Sequence, residues 1–168
     1  FFRDMSINWI EIYKIPLFSS RSTSLRYFQY KIIHRIIGTN KLLFKFGYVD
    51  SNLCTFCKKE IESIPHLFWE CDITKQFWNK IQDQILSKMF NLNMKDVILG
   101  IIEVDYYQFN FVILHAKYYI YIARLNKSNL DINGFRKMLK GISNTEKYIA
   151  YKNNKIGDWN IRWNSITL

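Results

Sequence analysis

Three cysteines and one histidine with metal-ligand spacing lie within one short stretch of the sequence. They are Cys54, Cys57, His66 and Cys71, in the pattern C-x2-C-x8-H-x4-C, and they include all three cysteines of the chain. Thiolates and imidazoles are ligands that Zn²⁺ favours, and four of them complete the tetrahedral shell of a structural site. A close cysteine pair followed by a second ligand pair is the usual layout for wrapping loops around one ion. The spacing therefore predicts one structural Zn²⁺, the alternative being three small buried cysteines beside a core histidine.

A catalytic metal is a second hypothesis, and the order of the ligands argues against it. Zinc deaminases place an H-x-E motif before P-C-x-x-C, with the glutamate as general acid and base. Here the C-x-x-C comes first, Phe68 stands where that glutamate would be, and four protein ligands leave no open coordination position. The sequence also contains no Asp-Asp pair for two-metal phosphoryl transfer. We therefore predict that this chain is not an enzyme.

The composition indicates a folded protein. Of the 168 residues, 49% are hydrophobic and 17% aromatic, which is enough for the core of one compact domain or two small ones. The cysteine pattern favours a reducing compartment. The longest apolar run, at residues 111–123, contains His115 and Lys117 and is too short to span a bilayer. Because the chain begins with Phe1, we expect it to be a piece of a longer polypeptide.

The net charge of +10 favours polyanionic partners, with nucleic acid first and an anionic membrane surface second. Residues 1–60 carry ten Lys/Arg against four Asp/Glu, and residues 101–168 carry ten against five. Residues 61–100 carry four against five and are nearly neutral. Two basic blocks therefore flank a neutral middle, as expected if different faces contact the anion and the core.

The apolar periodicity predicts a mostly α protein: a helical domain with a small Cys-Cys-His-Cys zinc-binding knuckle between helices. Gly47 is predicted to end a short helix in the C′ position. Trp159 and Trp163 are spaced i, i+4, and we expect them to dock on the helices. The predicted helices lie around residues 9–13, ending before Pro16, and at about 24–37, 42–46, 72–89, 106–127 and 132–153.

The chain is divided here into three predicted parts. Residues 1–22 are an N-terminal extension, residues 23–90 hold the basic helix with the zinc-binding module, and residues 91–168 form a C-terminal helical region that packs on it.

The predicted helix at 24–37 has two different faces at about 100° per residue. Its apolar side gathers Leu25, Phe28, Ile32, Ile33 and Ile36. Its other side is basic and aromatic, with Ile37 the only apolar exception: Arg26, Tyr27, Tyr30, Lys31, His34 and Arg35. Cations neutralise phosphates, and tyrosine rings offer stacking surfaces for unpaired bases. This face therefore predicts nucleic-acid contacts, the alternative being an ordinary solvated surface.

The predicted helix at 106–127 carries a polar stripe every seven residues, formed by Asn110, Lys117 and Arg124. Lys117 and Arg124 are interpreted as cations that line a nucleic-acid channel, with the wet edge of a buried helix as the alternative. His34 and His115 have no second ligand nearby in sequence and are predicted to be surface or core histidines.

The stretch LRYFQYKIIHRIIGTNKLLFKFGYVDSNLCTFCKKEIESIPHLFWECDITKQFW resembles the C-terminal zinc-binding region of non-LTR (LINE-type) retrotransposon reverse transcriptases. The motifs that carry the resemblance are the basic-aromatic helix ending in TN, the DSNLCTFC turn, the acidic ES, HLFWEC and the following FW. YYIYIARLN, EKYIAYKNNK and the Trp-bearing tail are similar more loosely. The gap of eight residues differs from the four of the retroviral zinc knuckle.

The resemblance implies that Cys54, Cys57, His66 and Cys71 hold the metal. It also implies a module that binds RNA or DNA beside the polymerase domain of its parent chain and positions RNA template or target DNA for target-primed reverse transcription. Residues 1–22 would then be an extension from that missing polymerase region. An intracellular location, in a nuclear and cytoplasmic ribonucleoprotein, follows from the same resemblance, and no membrane partner is expected. The alternative function is a zinc-stabilised helical protein-interaction module, which the apolar helix at 106–127 would suit.

Overall fold

A computed structural model describes residues 7–86, 91–103, 106, 108–164 and 166. Over these residues the protein is mostly helical and has no β-strand, which confirms the predicted fold class. Leu53 and Ile61 form one isolated antiparallel bridge. A π-helical turn at His66–Glu70 precedes the fourth α-helix. The α-helices are α1 (Trp9–Ser19), α2 (Thr23–Ile33), α3 (Asn40–Lys45), α4 (Asp72–Gln84), α5 (Met94–Leu99), α6 (Phe109–Leu125), α7 (Ile132–Lys152) and α8 (Ile156–Trp163).

The central helix is α6. Twelve of its 17 residues are buried, and α1, α2 and α5 pack against it. A helix that is apolar nearly all round must be covered on most of its circumference, and here the chain's own helices cover it. None of the described helices is long and apolar enough to cross a membrane.

Helix α1 continues through Pro16 to Ser19, so the prediction that it ends before Pro16 was wrong. Proline removes one backbone donor inside a helix, which usually ends it. Here the buried side of the helix continues on both sides of the proline, through Ile12, Ile15 and Ser19. Ser19 Oγ also donates to the Ile15 carbonyl at 2.7 Å. Packing against α2 and α6 therefore outweighs the local cost.

Helix α2 ends at Ile33, four residues before the predicted end. Arg35 adopts a left-handed conformation with φ 60°, and the Ile36 amide donates to the Lys31 carbonyl at 2.9 Å. This is a Schellman motif with arginine in the position that usually holds glycine. It turns Ile37 into the core and leaves Ile36, predicted on the apolar side, 53% exposed.

The same ending closes α3, with Gly47 in the left-handed position at φ 73°, as predicted. The Tyr48 amide donates to the Leu43 carbonyl at 2.9 Å. Left-handed residues thus end both α2 and α3 before the metal-ligand segment begins.

Helix α7 packs on α4, and α8 packs on α7. The buried side of α4 includes Phe77, Trp78 and Ile81. The helix ends at Gln84, five residues before its predicted end; residues 87–89 of the predicted extent lie outside the described residues. Trp159 and Trp163 dock on α7, which confirms their predicted role. Contacts between α1 and α6, and between α4 and α7, cross the predicted boundaries, and the three-part division remains a prediction.

Candidate metal centre and the adjoining basic surface

The four predicted metal ligands come together in the fold. The ligand atoms of Cys54, Cys57, His66 and Cys71 all lie within 4.8 Å of one another. Cys54 Sγ is 3.8 Å from Cys71 Sγ, and Cys57 Sγ is 3.4 Å from His66 Nε2. In a tetrahedral site with Zn–S bonds of about 2.3 Å and a Zn–N bond of about 2.0 Å, neighbouring ligand atoms are roughly 3.5–3.8 Å apart. The donor set therefore suits a closed four-coordinate site, and these two distances are close to the tetrahedral values.

The first cysteine pair lies on a tight turn held by backbone hydrogen bonds. The Cys54 amide donates to the Glu60 carbonyl at 2.7 Å, and the Glu62 amide donates to the Asn52 carbonyl at 2.9 Å. Lys58, directly after the pair, is left-handed with φ 58° and donates its amide to the Cys54 carbonyl. These bonds fold residues 52–62 back on themselves, so that both thiols point to the same side.

The second ligand pair depends on the π-helical turn. In an α-helix, residues five apart lie roughly 140° apart around the axis, which would separate His66 from Cys71. The π turn instead links them directly, because the Cys71 amide donates to the His66 carbonyl at 2.9 Å. Trp78 supports this turn by donating from Nε1 to the Phe68 carbonyl at 2.6 Å. Such turns are frequent at functional sites, and this one makes the x4 spacing usable.

The two buried thiols of the group influence each other. The hydrogen bond between Cys54 and Cys71 lowers the pKa of Cys71 to about 5, and backbone amides at the start of α4 act in the same direction. The same hydrogen bond, with burial, raises the pKa of Cys54. The lowered pKa of Cys71 favours its thiolate, which is the form that binds metals.

A buried carboxylate, missed by the sequence reasoning, anchors this segment to the rest of the fold. Glu62 is fully buried and accepts from the Thr55 amide at 2.7 Å and the Asn40 amide at 2.8 Å. Arg124, on α6, pairs with it at 2.9 Å and also donates to Asn40 Oδ1. Since Thr55 directly follows Cys54, this network ties the first ligand pair to α3 and to the central helix. The signal in the sequence was a lone acid between Ile61 and Ile64.

The structure places the two predicted channel cations in the interior. Lys117 is 2% exposed and Arg124 is 6% exposed. Lys117 Nζ donates to Gln29 Oε1, and burial lowers its pKa to about 7. Neither cation faces solvent in the described fold, so Asn110, Lys117 and Arg124 form a row of buried polar residues. His115 is likewise a core histidine, as predicted, with Nδ1 2.8 Å from the Phe111 carbonyl.

The basic face of α2 is on the surface, as the pattern predicted. Tyr27, Tyr30 and His34 are exposed, and Lys31 Nζ lies 4.5 Å from the centre of the Tyr27 ring. Arg26 is half-buried because its guanidinium caps the end of α1, donating to the Ser20 carbonyl at 2.7 Å and to the Leu17 carbonyl at 3.2 Å. Tyr27, Tyr30, Lys31 and His34 are thus joined by ring contacts on this face, and Arg26 also has a structural role.

Arg35 leads from this face into an open groove of about 520 Å³ that borders the metal-ligand segment. Lys41 and Lys45, on α3, line the same groove, and Glu70 is its acidic member. The other lining residues are Thr39, Leu42, Ser63, Ile64 and Pro65. Ser63 Oγ accepts from the His66 amide at 3.1 Å, so one wall of the groove is also the support of a ligand. Lys41 and Lys45 were not among the predicted contacts.

Comparison with known proteins identifies one segment. Residues 5–78 match the model of a family described as zinc-binding in reverse transcriptase. The match covers α1 to α3, all four ligand residues and the first half of α4. No curated protein and no solved structure matched the chain.

Proposed function

We propose that this chain is a non-catalytic nucleic-acid-binding module from the C-terminal region of a non-LTR retrotransposon reverse transcriptase. Its role is to position RNA template or target DNA for target-primed reverse transcription, next to the polymerase domain of its parent chain. The family match and the metal-ligand group support an origin in a reverse transcriptase. The basic surface supports nucleic-acid binding.

The metal in this proposal is one structural Zn²⁺ held by Cys54, Cys57, His66 and Cys71. Three thiols and an imidazole at tetrahedral spacing suit zinc, and four protein ligands leave no position for a reacting water. A structural zinc stabilises the fold around it outright. The ion would thus fix the turn at 52–62 and the π-helical turn relative to α3, and with them one wall of the groove.

The observation that carries the proposal is the convergence of Arg35, Lys41 and Lys45 on a groove that the metal-ligand segment helps to form. Lysine and arginine neutralise phosphates regardless of sequence, and each contact releases condensed counterions. A groove whose wall is fixed by a metal offers these cations a defined spacing. The expected binding is strong at low salt and weakly sequence-specific.

The alternative, a zinc-stabilised protein-interaction module, rested on the apolar helix at 106–127. In the described fold, 12 of the 17 residues of α6 are buried under the chain's own helices, which leaves little of its apolar surface for a partner. The groove cations and the exposed face of α2 favour an anionic partner instead.

The test is fluorescence anisotropy with labelled oligonucleotides at several salt concentrations. Charge reversal in a Lys31→Glu/Arg35→Glu variant should weaken binding and reduce the slope of log K against log salt by about one unit for each lost phosphate contact. The matched control is Lys137→Glu/Lys140→Glu, which changes the net charge equally at exposed positions of α7. Equal losses in both variants would show unspecific attraction by net charge, and no loss in either would overturn the assignment of this surface.

A further inference from the structure

Five aromatic rings form a continuous exposed row across α1 and α2, which we call the aromatic ladder: Trp9, Tyr13, His34, Tyr30 and Tyr27. The ring centroids are 6.3 Å apart for Trp9 and Tyr13, and 5.7 Å apart for Tyr13 and His34. They are 4.1 Å apart for His34 and Tyr30, and 6.1 Å apart for Tyr30 and Tyr27, which are stacked. The ladder thus extends the basic face of α2 onto α1.

The ladder stays at the surface although its members are large rings. Trp9, Tyr13, Tyr30 and Tyr27 are between 42% and 57% exposed. Within each helix the neighbouring rings are three or four residues apart, the spacing that places side chains on one face. Between the helices, Tyr13 Oη lies 3.1 Å from His34 Nε2, which fixes the two halves relative to each other. A row of rings is therefore held in place and partly open to solvent.

Positive charge accompanies the ladder along its length. Lys31 lies over the Tyr27 ring, Arg26 is held at the junction of the two helices, and Arg35 follows His34 directly. The acid on α1, Glu11, is two residues from Trp9, roughly 200° round the helix. It is also paired with Lys14 at 2.8 Å. Lys31 therefore lies on the ladder itself with Arg26 and Arg35 close by in the chain, and the acid of α1 lies on another side of its helix.

We infer that the aromatic ladder is a stacking platform for the unpaired bases of a single-stranded nucleic acid, whose backbone continues past Arg35 into the groove lined by Lys41 and Lys45. This inference rests on the proposed function and narrows its substrate class. Exposed rings gain stacking energy from any base that presents a free face, whereas duplex bases are already stacked on their neighbours. A cationic groove beside an aromatic row is the arrangement by which proteins hold single strands without reading sequence.

The test uses variants that remove a ring without changing the charge. Trp9→Leu and Tyr13→Leu are compared with Tyr151→Leu, which removes a 72% exposed tyrosine of α7 that is not part of the ladder. Binding of the whole chain is measured by anisotropy with a labelled single strand, as RNA and as DNA, and with the same strand in a duplex. Far-UV circular dichroism and the melting temperature confirm that each variant is folded.

We expect the single strand to bind more tightly than the duplex, and each ladder variant to lose about tenfold or more in single-strand affinity. The salt slope should stay unchanged, because no phosphate contact is removed, and duplex affinity and the Tyr151→Leu control should change less than twofold. A preference for RNA or for DNA supports the inference equally. Duplex binding as tight as single-strand binding, or full affinity in both ladder variants, would overturn the inference while leaving the proposed function standing. The absence of binding to every nucleic acid would overturn both.

Discussion

The charge of Arg124 has a structural role in the fold that its position in the sequence did not indicate. In the sequence it repeats at seven residues with Lys117 and was interpreted as a channel cation. In the fold its guanidinium pairs with the fully buried Glu62 and contacts Asn40. A buried pair is costly to desolvate and stabilises only when its geometry and its additional hydrogen bonds are good. Here two backbone amides also donate to the Glu62 carboxylate, so the pair connects the turn that carries the first ligands to α6.

We expect Glu62→Gln to destabilise the protein by about 3–5 kcal/mol, because it leaves the buried Arg124 without a counter-charge. Urea denaturation at constant zinc concentration measures the free energy of unfolding. The control is Glu11→Gln, which breaks the exposed pair with Lys14 and should cost less than about 1 kcal/mol. Similar losses in the two variants would show that the buried pair has no special structural role.

Lys117 should make stability depend on pH. Burial lowers its pKa from 10.5 to about 7, and its contacts, Gln29 Oε1 and the Ile98 carbonyl, are neutral. Between these two pKa values the unfolded chain binds a proton that the folded chain does not. The free energy of unfolding therefore rises with pH over this window and is lowest below about pH 7.

The measurement compares wild type with Lys117→Met by urea denaturation at pH 7.5 and pH 9.5. Other titrating groups are the same in both proteins, so the difference between them isolates Lys117. Wild type should gain about 2 kcal/mol relative to the variant across these two pH units. A difference that does not change with pH would mean that Lys117 is charged in the folded protein.

At the scale of elements, the helices were largely predictable and their ends were not. The apolar periodicity located α2, α4, α6 and α7, because burying one face of a helix leaves a regular trace in the sequence. Glycine marked the end of α3 correctly. Nothing marked the end of α2, since Arg35 occupies a left-handed position that glycine or asparagine normally holds. In α1, packing against α2 and α6 carried the helix through Pro16.

Arg35→Gly separates the two roles of this helix end. Glycine adopts the left-handed conformation without strain, so stability should be unchanged or rise by up to about 1 kcal/mol. Nucleic-acid affinity should fall, because a cation of the groove is lost. Chemical denaturation and anisotropy measured on one preparation test both effects. A variant that loses stability and keeps its affinity would contradict this description of Arg35.

The π-helical turn explains a part of the site that the sequence could not reveal. The C-x2-C-x8-H-x4-C spacing identified all four ligand residues, because ligand types and intervals are local properties. The x4 interval fits no α-helical face, and the wider turn that makes it work is held by Trp78, ten residues from the carbonyl it binds. The hydrogen-bond network that holds the first ligand pair joins Glu62 to Arg124, which are 62 positions apart. Contacts of that range leave no local pattern in a sequence.

At the scale of the whole molecule, the ligand group lies where three parts of the fold meet. It joins the hairpin-like turn at 52–62, the start of α4 and, through Glu62, the central helix. The basic groove runs along the same junction. The aromatic ladder spans α1 and α2, and it was invisible in the sequence because its two halves belong to different helices. Metal binding and the proposed nucleic-acid surface are therefore expected to be linked through folding.

The central claim is tested most directly by counting zinc in the purified protein. Element analysis by mass spectrometry should give about one Zn²⁺ per chain, and Cys57→Ser should lose most of that zinc and melt at a clearly lower temperature. The matched control is Thr55→Ser, next to Cys54 but not one of the four ligands, which should keep the metal. Zinc-free protein, or a Cys57→Ser variant with the metal content and melting temperature of the wild type, would contradict the account.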